Sequence, residues 1–365
     1  MKQVKVLIVD DSAFMRKLIS QFLKEDHQIE VVGTARNGED ALTKIKQLNP
    51  DVITMDVEMP TMDGIEALKK IMTHNPIPVI MLSSTTKEGT ENTIVAMQYG
   101  AIDFIAKPSG GISLDLHKVK DEIVSKVLLA SKVNMNNFQI PTGKAKSITS
   151  SLAKYSKIEL RSMSQLSHNS SKQANKKILC IGTSTGGPRA LQKVLQGFPK
   201  SINVPIIIVQ HMPAGFTKSL ASRLNSLCDI CVKEGENGEI IQNGTAYIAP
   251  GGSHLKVKKV GTSLVLQIDQ SSIKNGHRPS VDVMLESVSE ISGYMKIAII
   301  MTGMGSDGTE GLKTLKSKGN AKAIAESQDT SIVFGMPKSA IAANVIDDVA
   351  DLGDITPTAL KYIYQ

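Results

Sequence analysis

The chain of 365 residues has no tryptophan, and its aromatic residues make up only 4% of the total. Proteins that grip single-stranded nucleic acid stack bases on aromatic faces, so this scarcity argues against that role. Cysteine is almost as rare, with three residues, which is too few for a disulfide framework and fits a reducing cytoplasm. No stretch reaches the roughly 18 uninterrupted apolar residues of a membrane span, so membrane insertion is not expected. The opening MKQVKVLIVDDSAF carries acidic residues where a secretory leader needs an apolar core. What is present, 41% hydrophobic residues, is enough for two ordinary domains with cores of their own.

The formal net charge of +7 is concentrated in one place. Between residues 132 and 177 the bases Lys132, Lys144, Lys146, Lys154, Lys157, Arg161, Lys172, Lys176 and Lys177 face one acid, Glu159. Scattered through Ser, Asn and Gln, they read as a solvated linker. No helix-turn-helix pattern accompanies them, so nucleic acid is not an expected partner.

The first ~130 residues alternate short β-branched runs (VKVLIV, IEVVGTA, DVITM, IPVIML, AIDFIA) with amphipathic stretches of helical length. Five such repeats indicate an α/β domain with a five-stranded parallel sheet covered on both faces. The pattern dissolves near residue 131 and restarts at Ile178 with ILCIG, VPIIIVQ, DICVKE, TAYIAP, KIAIIMT and KAIAES. Within this second half, SHLKVKKVGTSLVLQIDQ alternates apolar and polar residues around VGTS, as an antiparallel hairpin would. The expected organisation is a domain over 1–130, a flexible polar linker over 131–175, and over 176–365 a doubly wound, mostly parallel α/β domain with a hairpin insert. A tether of ~40 residues spans ~35 Å on average, about one domain diameter.

Several polar residues fall at carboxyl ends of the first five strands, where open parallel sheets bind ligands. Asp10 and Asp11 end the first strand, Asp56 the third, Ser83 the fourth and Lys107 the fifth. Asp is common at strand ends as a turn and cap former, but three carboxylates in one crevice repel each other and call for a hard cation such as Mg²⁺. With Lys107, such a cation could neutralise a phosphoryl group while Asp56 attacks it. These motifs, DD, MDVEMPTMDG, SS and KP, closely resemble the response-regulator receiver domain over about residues 1–125. The resemblance implies a flavodoxin-like fold, phosphorylation of Asp56 by a histidine kinase donor, Asp10 and Asp11 at the metal, Ser83 (or neighbouring Ser84) as switch hydroxyl, and Lys107 as phosphate partner. The Lys107–Pro108 bond is expected to be cis, aiming the lysine.

The corner ILCIGTSTGGPRAL raises a choice between a phosphate-binding loop and a nucleophile's seat. A dinucleotide fingerprint wants glycine where Ser184 stands, and an acid about 20 residues on, where the chain reads SINVPIII. A nucleophile needs a base and an orienting acid at other strand ends. VPIIIVQHMPAGF supplies His211 and IAIIMTGMGSDGTEG supplies Asp307. Taken singly, Ser184 and Asp307 could be helix caps and His211 a structural histidine.

Together, GTSTGG, QHMPAGFT and TGMGSDG, with YIAPGGSHL, HRPSVDVM and FGMPKSAI, resemble the catalytic domain of the chemotaxis protein-glutamate methylesterase (CheB) family, from about residue 176 to the end. The resemblance implies hydrolysis of γ-glutamyl methyl esters on chemoreceptors, and deamidation of receptor glutamines. Ser184 would be the nucleophile, His211 the base and Asp307 its orienter. The backbone N–H groups of Thr185 and Met304 are the oxyanion candidates, and His277 and Arg278 either line the site or support it. No cofactor is expected for the esterase.

Cys228 and Cys231 form a CxxC without further ligands nearby, and the seven histidines lack metal spacing, so no zinc site is expected. The competing reading is a response regulator whose second half binds a partner or nucleotide without catalysis. A receiver on a flexible tether is also expected to cover the esterase crevice until phosphorylation shifts it.

Overall fold

The computed structural model describes residues 3–107, 116–133, 135 and 176–365. The Lys107–Pro108 bond and nearly all of the expected linker lie outside the described residues.

The amino-terminal half runs β1 (Val4–Val9), α1 (Ala13–Lys24), β2 (Ile29–Ala35), α2 (Gly38–Leu48), β3 (Val52–Asp56), α3 (Gly64–His74), β4 (Val79–Ser83), α4 (Lys87–Tyr99), β5 (Asp103–Ala106) and α5 (Leu116–Ala130). All neighbouring strands pair parallel, in the order β2-β1-β3-β4-β5. The central strands β3 and β4 are buried along their whole length, as continuous apolar runs covered on both faces must be. Helices start where a short polar side chain takes up a free backbone N–H. Ser12 accepts from Met15, Asn37 from Asp40, Asp63 from Glu66 and Thr86 from Gly89.

The second half continues with β6 (Lys176–Thr183), α6 (Gly187–Leu195), β7 (Ile206–Gln210), α7 (Phe216–Asn225), β8 (Cys231–Glu234), β9 (Thr245–Ile248), β10 (His254–Val260) and β11 (Ser263–Asp269). It ends with α8 (Val281–Ser289), β12 (Tyr294–Ile300), α9 (Thr309–Ser317), β13 (Ala321–Glu326), α10 (Met336–Ala342), β14 (Asp348–Ala350) and α11 (Ile355–Tyr364). Seven of these strands form one parallel sheet, ordered β14-β13-β12-β6-β7-β9-β8. β10 and β11 form the expected antiparallel hairpin, closed at Val260 and Ser263 with Gly261 at φ 61°. The edge strand β14 was not anticipated: it has three residues and only Ala350 is buried, too short to show a period.

β6 is central, with β7 on one side and β12 on the other, so the chain reverses its winding there. That switch point opens a crevice beyond the carboxyl ends of β6, β7 and β12. The amino-terminal half packs over it. Phe104 after the start of β5 stacks on Phe216 of α7 at 4.4 Å between ring centroids. Around this apolar contact, Thr90 of α4 and Ser219 of α7 share a hydrogen bond of 2.8 Å, and Arg223 donates to Gln98 at 2.8 and 3.1 Å.

Candidate functional site

In the receiver half, Asp10, Asp11 and Asp56 bring one carboxylate oxygen each within 4.8 Å of one another. Asp10 and Asp56 are buried and Asp11 is exposed. Lys107 Nζ lies 2.7 Å from Asp56 Oδ2 and 3.0 Å from Asp10 Oδ2. Burial raises the Asp56 carboxyl to about 6 against the opposing pull of Lys107, with Asp10 adding to the rise. Three hard oxygen donors with an open, solvent-facing member suit a divalent cation of the Mg²⁺ type. Ser83 is also buried at this crevice. Its hydroxyl donates towards the carbonyls of Ser84 and Gly89 and accepts from Thr93, turned into helix α4. Ser84 is bonded to Thr86 instead.

Ser184 follows β6 directly, at the corner into α6. Its N–H donates to Thr302 O at 3.0 Å, and its carbonyl accepts from Gly187 N at 2.8 Å and Gln210 Nε2 at 3.0 Å. Gly186 turns the corner at φ 79°, a conformation that favours glycine. A Cβ at Gly187 would lie 2.0 Å from Gln210 Oε1, so the loop is filled by its own side chains.

His211 follows β7, its N–H bonded to Thr183 O at 3.1 Å. Its Nε2 is 2.8 Å from Asp307 Oδ2, while its Nδ1 is buried without a hydrogen-bond partner. The Ser184 hydroxyl is thus not bonded to the ring in this arrangement; such contacts are often loose before substrate binds. Asp307, in the turn before α9, is buried. Burial alone would raise its carboxyl, but hydrogen bonds from His211, Val281 N–H and Asn275, with the charge of His211, hold it well below the usual carboxylate range. The amino terminus of α8 contributes most of these donors: Val281 N at 2.7 Å, Ser280 Oγ at 2.8 Å and Asp282 N at 3.2 Å.

The His277 ring stacks on His211 at 3.8 Å between centroids and 11° between planes. Burial, with the His211 charge, lowers His277 to about 4, so it meets the His211 ring as a flat neutral surface. His277 lines the same cavity as Ser184 and His211. Arg278 also lines it, with Nη1 donating to Gln270 O and Ser271 O.

Ser184, Thr185, His211, His277 and Met304 line one cavity of about 370 Å³. Met212, Pro213 and Arg278 add to that side, and the amino-terminal half supplies a facing wall that includes Asp103, Phe104, Glu122 and Lys126. Thr185 Oγ1 donates to Asp103 Oδ2 at 2.6 Å, which ties the residue after the nucleophile to the other half of the chain. A larger cavity of about 760 Å³ lies across the Ser184 loop, between Tyr99 and α6. Ser184 and His211 line only the smaller one.

Sequence reasoning missed Asn275, Ser280, Asp282, Gln210 and Glu326. The capping pattern at SVDV was available for Ser280. Nothing local marks Glu326, which is buried at the end of β13 and accepts from Thr302 N at 2.8 Å and Thr330 Oγ1 at 3.1 Å. Through Thr302 it holds the loop that carries the Ser184 N–H. Burial raises Glu326 to about 7.

Cys180 is buried, Cys228 half-buried and Cys231 exposed. Burial, then the charge of Asp229, pushes the Cys228 thiol up to about 11. Among the described residues, the only cluster of three candidate metal ligands is Asp10, Asp11 and Asp56, and no helix is long and apolar enough to cross a membrane.

Comparison with known proteins identifies the two halves. Residues 179–359 match the CheB methylesterase family, and residues 6–117 match the response regulator receiver domain. A protein of Geobacillus kaustophilus (strain HTA426), named protein-glutamate methylesterase/protein-glutamine glutaminase, is 54% identical, covering 100% of this chain and 99% of that one. A protein of the same name from Bacillus subtilis (strain 168) is 50% identical over 96% of both chains. The crystal structure of the Thermotoga maritima CheB methylesterase catalytic domain is 45% identical, covers 52% of this chain and 97% of its own, and superposes with a TM-score of 0.49. With a receiver ahead of a methylesterase domain, and such identity along its whole length, the chain belongs to the protein-glutamate methylesterase/protein-glutamine glutaminase family.

Proposed function

We propose that this chain removes methyl groups from γ-glutamyl methyl esters of chemoreceptors, and deamidates receptor glutamines, under phosphorylation control in chemotaxis. The observation that carries this reading is the His211–Asp307 pair: Nε2 is held by the carboxylate and the opposite nitrogen is free, in the same cavity as Ser184.

Ser184 Oγ attacks the ester carbonyl as its proton passes to His211 Nδ1, and Asp307 stabilises the imidazolium that forms. The oxyanion of the tetrahedral intermediate meets two backbone N–H groups, that of Thr185 at the corner into α6 and that of Met304 in the loop after β12. Methanol leaves with the proton from His211. Water, deprotonated by the same nitrogen, then cleaves the acyl-enzyme, regenerating Ser184 and releasing the glutamate carboxylate. With glutamine as substrate, ammonia leaves in place of methanol.

The functional units are residues 1–130 and 176–365, joined by the polar segment 131–175. In the receiver, Asp56 accepts a phosphoryl group from a histidine kinase, with Lys107 facing the incoming charge and Ser83 as the switch hydroxyl. Asp10, Asp11 and Asp56 would hold Mg²⁺, which supplies charge neutralisation at the phosphoryl oxygens when bound. The chain works in the cytoplasm, where receptor signalling segments and kinase meet. Asp103, Phe104 and Lys126 wall the esterase cavity, which supports a resting state in which a receptor segment has no path to Ser184. Incubation with receptor membranes labelled on their methyl groups tests the reading: released methanol, rising on addition of a small phosphodonor and Mg²⁺, is the expected result.

A further inference from the structure

The segment Lys274-Asn275-Gly276-His277 is a two-residue turn. Asn275 and Gly276 have φ of 54° and 78°, and Lys274 and His277 exchange backbone hydrogen bonds of 2.9 and 3.2 Å. Asn-Gly with positive φ at both positions is the I′ pattern, which few residue pairs adopt without strain. One end of this turn lays His277 on the His211 ring. The other aims the Asn275 side chain at two buried carboxylates. Its Nδ2 lies 2.6 Å from Asp282 Oδ2 and 3.0 Å from Asp307 Oδ1.

We propose that Asn275 is a positioning residue of the esterase, its amide giving one hydrogen to Asp282 and the other to Asp307, so that the second Asp307 oxygen stays aimed at His211. An amide nitrogen carries two hydrogens, which matches the two acceptors; a hydroxyl has one and a carboxylate none. The opposite orientation of the amide would turn its carbonyl on both carboxylates, so the network fixes which atom is nitrogen. Asp282 is itself occupied by Gly308 N at 2.9 Å and Gly311 N at 2.6 Å, so it cannot swing to relieve the pair. The amide thus bridges two like charges that share one buried site, and it draws negative charge from Asp307 that would otherwise act on the imidazole.

The consequence is a change in pH dependence. Without the amide, Asp307 presents more charge to His211 and stabilises its protonated form, which cannot act as base. The acidic limb of the rate profile then moves to higher pH. The other charged or titratable groups facing this couple are His277, Asp282 and the Lys274–Glu286 pair, with Asp103, Glu122 and Lys126 from the receiver. A substitution at Asn275 leaves all of them in the chain.

This inference rests on the Ser-His-Asp reading, so Ser184→Ala is run beside it: an active Ser184→Ala enzyme sinks that reading, whatever Asn275 does. The test uses the full chain with phosphodonor and Mg²⁺, and follows methanol release from methylated receptor membranes between pH 5.5 and 9. Asn275→Gly keeps the turn, because glycine accepts positive φ, and removes only the amide. We expect kcat to fall at least ~10-fold with KM little changed, and the acidic limb of kcat/KM to rise by about half a pH unit or more. Asn275→Asp, similar in shape but with a third carboxylate, should move the limb further in the same direction. An Asn275→Gly enzyme with wild-type kcat overturns the proposal. So does one that is slower with its acidic limb unmoved, since that is the mark of a loosened loop. Should Asn275→Gly fail to fold, the Asn275→Asp limb decides by the same criterion.

Discussion

Thr185, one residue beyond the nucleophile, donates its hydroxyl hydrogen to Asp103 of the receiver half at 2.6 Å. The same carboxylate lies 3.2 Å from Lys126 Nζ, and Phe104, the next residue, stacks on Phe216. A contact between the two halves of the chain therefore ends one residue from Ser184. Asp103→Ala removes the acceptor and should weaken the closed arrangement by about 1–3 kcal/mol, the usual cost of a part-buried charged hydrogen bond. Basal methanol release without phosphodonor should rise several-fold, with the activated rate little altered. Unchanged basal activity, in a chain that still takes phosphate on Asp56, would mean that this contact does not restrain the enzyme.

Ser184→Ala removes one exposed-edge hydroxyl whose loop is held by backbone groups, so the fold should survive. Methanol release should drop by ~10³-fold or more, as is usual when a triad member is lost. Retention of a tenth of the wild-type rate is incompatible with Ser184 as nucleophile.

Asp56→Asn should abolish labelling by a small phosphodonor in the presence of Mg²⁺ and leave basal esterase activity measurable. Full incorporation in the Asn variant would move the acceptor to another residue.

Glu326 offers a stability test with a defined sign. Burial lifts its carboxyl from the ordinary 4.5 to about 7, so between these values the folded chain keeps a proton that the unfolded chain has released. This group's contribution to stability is therefore present at pH 4.5 and lost as pH rises through 7, by at most a few kcal/mol. Glu326→Gln keeps an acceptor for Thr302 N–H and has no proton to lose. Its melting temperature should exceed that of the wild type at pH 8 and not at pH 5. Equal melting curves at pH 8 would show that the wild-type carboxyl is ionised there at no cost.

Much of the fold was legible because burial on both faces of a parallel sheet imposes continuous apolar runs. The inner strands β1, β3, β4, β6, β7 and β12 carry that mark, while the edge strands β2 and β8 are only partly buried and were legible from their β-branched residues and bounding turns. The hairpin showed itself by its alternation around Gly261. The edge strand β14 did not, because three residues with one buried side chain present no period. Ser184, His211 and Asp307 could be placed at strand ends by reading where each apolar run stops, which is a local property.

Their supports could not be read in the same way. Asn275 reaches Asp307 across 32 positions, Gln210 reaches the Ser184 carbonyl across 26, and Glu326 reaches Thr302 across 24. Each is an ordinary polar residue until the sheet closes and removes water from around it. Which nitrogen of His211 faces Asp307, which way the Ser83 hydroxyl turns, and that His277 stacks on His211 were likewise decided by packing. So was the pairing of Thr185 with Asp103, which lie 82 positions apart in different halves of the chain. The sequence by itself determined the two α/β halves, the strand-end chemistry and the class of reaction, because these follow from local periodicity and residue type. Only the tertiary structure decided charge state, orientation and mutual restraint, because those depend on desolvation and on contacts between segments far apart in the chain.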